Sequence, residues 1–190
     1  PAKWSAEPLR RAMNAVLPDD VWVAAVHEMA PAFHARFDAV ARRYAYVLGT
    51  DDAARSPFRR ATEWAVPRPV ERALLDAAAA HLPGEHVFRA FAVRGTAPET
   101  DDHRCRVLRA RWREDGPRLV FDVEANRFLH HMVRFLVGTM VDVASGKRPL
   151  ADLPRLLAAG DNSEVSPPAP PHALFLEEVR YPDHLYLPRA

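Results

Sequence analysis

A chain of 190 residues with 48% hydrophobic side chains can pack one domain or two small ones, which excludes a disordered polymer. Its single cysteine, Cys105, excludes an internal disulfide and suits a reducing cytoplasm, and no secretory h-region or membrane-spanning run interrupts it. A net charge of +1 means that a nucleic-acid partner has to be argued from local clusters.

Ser5 is placed to cap a helix, Glu7 suits its first turn, and Leu9, Met13 and Val16 recur at helical spacing until Pro18. Residues 21–26 are short, apolar and β-branched, which predicts a strand ended by Pro31. Residues 33–38 are expected as a loop or short helix. Residues 41–48 read as a strand with Arg42, Tyr44, Tyr46 and Leu48 on one face, and Arg43, Ala45 and Val47 on the other. A turn, a basic loop over 55–60 and a short strand near Trp64 follow. An Ala-rich helix over 70–82 stops at Pro83-Gly84. Residues 85–102 read as a long connection. A strand over 104–113, the turn signal Asp115-Gly116 and the alternating run from Leu119 to Glu124 form a predicted hairpin. A long helix starting at Phe128 is closed by Ser145-Gly146. A second helix over 150–158, an extended proline-rich stretch over 166–171 and a last strand over 173–179 complete the chain. Hairpins with helices between them predict an α+β fold around a largely antiparallel sheet.

The helix from Phe128 onward is apolar around nearly its whole circumference, yet it carries Arg134. A guanidinium keeps its charge, so a buried one needs an anion. Two partners fit: a structural carboxylate (Glu124, Asp122 or Asp142), or a carboxylate of an active site. His130 and His131 precede Arg134, with His130 one turn away on the same helical face. Neither has the spacing of a zinc motif, so no metal is expected. His81, His86, His103 and His184 carry no recognisable spacing.

The stretch F-L-H-H-M-V-R-F-L-V-G-T-M, residues 128–140, closely resembles the signature helix of the tRNA pseudouridine synthase A family. Three further stretches agree in order and spacing: F-H-A-R-F-D-A-V-A-R-R-Y-A-Y at 33–46, G-E-x-x-F-x-x-F at 84–91, and A-P-P-H-A-L-F-L-E-E-V-R-Y-P at 169–182. The resemblance covers essentially the whole chain. It implies the pseudouridine synthase fold, with helices on one side of the sheet and an RNA-binding cleft on the other. It also implies isomerisation of uridine to pseudouridine in the tRNA anticodon stem-loop, without a cofactor, by a cytoplasmic homodimer. In that reaction the bond from ribose C1′ to uracil N1 is broken and remade to C5. The resemblance assigns Tyr44 to the target uracil, Arg134 to pairing with the catalytic Asp, and Leu174 to the pocket wall. From the residues alone, an ordinary half-buried strand tyrosine is the favoured reading of Tyr44, and a core leucine is at least as good a reading of Leu174. Ala173 stands where the family usually has Gly, which narrows any close backbone approach beside Leu174.

The family's catalytic Asp lies in G-R-T-D-A-G-V-H-A, and no Arg-Thr-Asp occurs among these residues. The nearest run, Glu99-Thr100-Asp101-Asp102, lacks the glycines. With Pro1 as its first residue, the chain is expected to be the downstream portion of a longer enzyme. Residues 1–48 would be an incomplete remnant of the N-terminal half and 49–190 the C-terminal domain. On that expectation the chain alone is inactive, and strands encoded upstream would pack beside the strand carrying Tyr44. The alternative is a relative that binds tRNA without modifying it. Basic clusters offer RNA backbone contacts at Arg42, Arg43, Arg59 and Arg60, with Phe58 beside them for stacking, although a solvated face is the default for each. Strand alternation predicts that Arg104 and Arg106 face one way and Arg109, Arg111 and Arg113 the other, so only one set would meet RNA.

Overall fold

In the computed structural model, residues 4–66, 68–96, 100 and 102–188 are described. They divide into two compact units, one formed by 1–39 with 181–190 and the other by 40–180.

The first unit contains helix α1 (Ala6–Asn14), which buries none of its residues. Residues 21–26, predicted as a strand, pair with no strand among the described residues. Their backbone is met by a side chain instead: Asn14 Nδ2 donates to the Val23 carbonyl at 2.9 Å and the Val23 amide donates to Asn14 Oδ1 at 2.8 Å. A β-branched apolar run makes a strand only where a neighbour offers a ladder, and here an amide side chain took that place. Residues 33–38 form turns, with Phe33 edge-on to Tyr181.

The second unit is a six-stranded sheet with helices against one face. Strand β1 (Ala41–Gly49) lies inside it. One side of β1 pairs with β5 (Arg118–Ala125), and the other pairs with β6 (Leu174–Arg180) and, at its end, with β2 (Trp64–Ala65). Strand β4 (Arg104–Asp115) follows β5 in the sheet, and β3 (Gly84–Val87) closes that edge. All pairings are antiparallel except β1 with β2. The strand carrying Tyr44 is therefore paired on both sides, and the sheet edge beyond it belongs to β6.

Residues 85–102, read as one long connection, hold β3 and a 3₁₀ turn at Arg89–Phe91; Glu99 and Asp101 of the nearest Thr-Asp run lie outside the described residues. Helix α2 (Arg72–Ala79) and helix α3 (Met132–Ala144) pack on each other, and α4 (Asp152–Leu157) follows. Helix α3 buries eleven of its 13 residues, so its end-to-end position is fixed by packing. Among the described residues, no helix is long and apolar enough to cross a membrane.

Two local features redirect side chains. In β4 the register against β5 shifts between Val107 and Arg109, leaving Leu108 as an extra residue. The bulge reverses the alternation, so Cys105, Val107 and Trp112 all enter the core, while Arg104, Arg106, Arg109, Arg111 and Arg113 are all exposed on the opposite face. The two arginine sets predicted to face opposite ways thus share one face. At the other end of the core, the predicted helix start at Phe128 is four residues early. Residues 128–129 are irregular and 130–131 form a turn, and His131 takes the left-handed conformation at φ 63° immediately before α3.

Candidate active site

The turn before α3, the middle of β1 and the start of β6 converge on one cavity of about 310 Å³. Tyr44 reaches it from β1, Leu174 from β6 and Arg134 from the first turn of α3, with Phe128 and His131 beside them. Tyr44 meets Phe128 edge to face, ring centroids 5.0 Å apart, which holds the phenol at the wall. The walls are mainly apolar, so a charge placed here is weakly solvated and strongly felt.

Arg134 is held at two points. Its Nε donates to the Ala169 carbonyl at 2.6 Å, and the Ala169 amide returns a bond to the Arg134 carbonyl at 2.9 Å. Its Nη1 lies 3.1 Å from His131 Nε2. A guanidinium only donates, so Nε2 is the acceptor and the neutral ring carries its proton on Nδ1. Partial burial, then the neighbouring Arg134 and His130, lower the His131 pKa below its ordinary value and favour that neutral ring. The two imidazoles lie 4.1 Å apart at a tilt of 35°, an arrangement open to them because neither lies within the helix.

None of the three structural carboxylates considered for Arg134 is its partner. Asp122 pairs with Arg111 and Arg113, Glu124 with Arg180, and Asp142 with Lys147. Among the described residues no carboxylate is within ion-pair distance of Arg134. Its Nη2 has no partner among them either, so the cation is fixed at Nε and Nη1 and its remaining end is unpaired among the described residues.

Sequence reasoning missed the fixing groups. The buried Tyr46 donates from its hydroxyl to the Pro170 carbonyl at 2.8 Å, beside the residue that holds Arg134. Burial, opposed by Arg134, raises the Tyr46 pKa, so the phenol stays a donor. His172 Nε2 donates to the Glu63 carbonyl at 3.0 Å, tying the same stretch down further along. The alternation that placed Tyr46 beside Tyr44 was visible; the carbonyls it serves were not. Ala173 is fully buried, so the core accommodates its methyl.

The predicted RNA contacts lie elsewhere. Arg42 donates to the Asn126 carbonyl at 2.8 Å, and Arg43 is 3.3 Å from Glu178. Arg59 is committed to Glu63 through both Nε and Nη2 and to Asp51 through Nη1. Arg60 and Phe58 are exposed.

The candidate site is thus a mainly apolar cavity beside a mostly antiparallel sheet, lined by Tyr44, Leu174 and an arginine that has no carboxylate partner among the described residues. Residues 78–182 match the family described as tRNA pseudouridine synthase. The chain is 36% identical over 173 residues to tRNA pseudouridine synthase A of Exiguobacterium sibiricum, covering 91% of this chain and 68% of that protein. It is 39% identical over 183 residues to the Geobacillus kaustophilus protein of the same description, covering 96% of this chain and 70% of the relative. The chain belongs to the tRNA pseudouridine synthase A family, whose members are isomerases.

Proposed function

We propose that this chain supplies the uridine pocket of a tRNA pseudouridine synthase that acts on the anticodon stem-loop, as a homodimer in the cytoplasm. The observation that carries the reading is the convergence of Tyr44, Arg134 and Leu174, from three separate elements, on one cavity where Arg134 has no carboxylate partner among the described residues. Tyr44 presents its phenol to the uracil, Leu174 forms the apolar wall, and Arg134 holds the nucleophilic carboxylate at ribose C1′. Pairing with a guanidinium keeps that carboxylate ionised, the form that attacks carbon.

No segment among these 190 residues matches the family's Asp-bearing stretch. In this reading the carboxylate comes from outside them, and Arg134 is the receptor already built for it. Phosphate contact falls to Arg42, Arg43, Arg59 and Arg60. Arg60 faces solvent, whereas Arg59 first satisfies Glu63 and Asp51.

Tritium release from tRNA labelled at uracil C5 tests this, because C5 loses its hydrogen only when the glycosidic bond is remade there. The chain alone is expected to release none, and addition of a segment bearing G-R-T-D to restore release. Release by the chain alone would mean that another carboxylate does the chemistry. Tight tRNA binding with no release even after the addition would instead favour a non-catalytic RNA-binding relative.

A further inference from the structure

The face of the sheet opposite α2 and α3 carries an arginine row that the uridine pocket does not use. We propose that Arg106 and Arg109, on either side of the β4 bulge, form a second RNA site that grips the phosphodiester backbone of the same tRNA. The proposal rests on the tRNA-binding reading above and adds a surface to it.

The bulge is the structural cause. Without the bulge, with Leu108 paired in register, strand alternation would send either Arg106 or Arg109 into the core. With it, five arginines project from one strand onto one face. Their surroundings divide them. Arg104 is held by Glu85 at 2.9 Å and Asp102 at 3.3 Å, while Arg111 and Arg113 share Asp122. Arg106 and Arg109 have no carboxylate partner among the described residues. Glu124, directly across from Arg109, is taken by Arg180, and Glu85, directly across from Arg106, is taken by Arg104. Two exposed guanidiniums therefore stand without counter-charges among the described residues, and Leu108 between them is 45% exposed.

Their position suits RNA. Tyr44 faces Val123 on β5, and Val123 faces Ala110 on β4, the residue after Arg109. The pair thus sits at the pocket's end of the sheet, on its other face. Arg43 projects to the same face, across from Glu124. Guanidiniums bind phosphate bidentately, and each neutralised phosphate releases condensed counterions, which makes the site visible as a salt slope.

The test is binding of labelled tRNA to the full chain across a salt series. Arg106→Ala/Arg109→Ala is expected to weaken binding and reduce the slope of log affinity against log salt by about 2, roughly one for each phosphate no longer neutralised. Arg106→Lys/Arg109→Lys is expected to keep the slope, and Arg104→Ala, a residue with two carboxylate partners, to change it less. Both positions are exposed, so the thermal midpoint of each variant is expected to match the parent. Parent binding with an unchanged slope in the double alanine variant overturns the second site and leaves the pocket reading standing. Failure of the parent chain to bind tRNA overturns both.

Discussion

His131 joins a strained backbone to a neutral ring that holds Arg134, so it should respond to pH. Above the ordinary histidine value of 6.5, the ring is neutral in both folded and unfolded chains and accepts from Arg134. As pH falls through 6.5 the unfolded chain takes the proton first, because the folded value is lowered. Stability is therefore lost until the folded ring protonates as well, below 6.5. His131→Asn tolerates the left-handed backbone and does not titrate, so it is expected to flatten this part of the stability–pH curve in urea titrations. An unchanged acid limb in that variant would show that the lost stability comes from another group. Tyr46 gives a second residue-level expectation. Tyr46→Phe leaves the Pro170 carbonyl without its donor and should cost about 1 kcal/mol, seen as a midpoint lowered by roughly 2–4 °C. If synthase activity in the Asp-supplemented reaction falls more than the fraction folded does, the loss lies in Arg134 positioning rather than in stability.

At the scale of elements, close packing between α3 and the stretch before β6 fixes the cation. A methyl added at Gly138 would lie 2.2 Å from the Pro167 carbonyl oxygen, so this glycine is what lets the backbone at 167–169 approach the helix. Gly138→Ala is expected to cost about 1–3 kcal/mol by overpacking and to move Ala169 away from Arg134. Chemical denaturation reads the first effect, and a shifted Arg134 Nε resonance the second. Much of this architecture was legible because its signals are local. Alternation marked β1 and β5, Asp115-Gly116 marked the turn between β4 and β5, and the apolar run with Arg134 marked α3. The rest failed where the deciding partner is distant in sequence. Strand β3 is four residues long and exists through its ladder with β4, which Gly-Glu-His-Val does not announce. The run at 21–26 carries strand propensity but found the Asn14 side chain rather than a ladder. The bulge at Leu108 leaves no mark in composition, yet it decides where three arginines point. At the site, Tyr44, Arg134 and Leu174 were named through the family's motifs; the carbonyl of Ala169 could not be, because a backbone acceptor has no sequence letter.

For the whole molecule, the two compact units differ in how much core each has. Among the described residues, every buried hydrophobic side chain belongs to 40–180, and none lies in the unit formed by 1–39 and 181–190. Eight of the twelve exposed large apolar side chains described are in that smaller unit, including Trp22 at 73% and Phe37 at 74% exposure. Its described contacts are mainly hydrogen bonds and ring contacts, such as the paired bonds between the Asn14 amide and Val23 and the bond from the Tyr181 hydroxyl to the Ala35 carbonyl, each bond worth about 1 kcal/mol. Burial of apolar surface is the main favourable contribution to folding, so a unit with no fully buried hydrophobic side chain among the described residues opens at lower free energy than one with a core. Hydrogen exchange on the chain should therefore separate the two. Amides of α1 and of 21–30 are expected to exchange by frequent local opening, while those of β1, β5 and α3 exchange only in global unfolding. Trp22→Ser, which removes an exposed side chain and leaves the core intact, is expected to leave the slow set unchanged. Equal protection across both units would mean that the smaller one draws stability from burial against another surface, and self-association measured over the same concentrations would then identify a second copy of the chain as that surface.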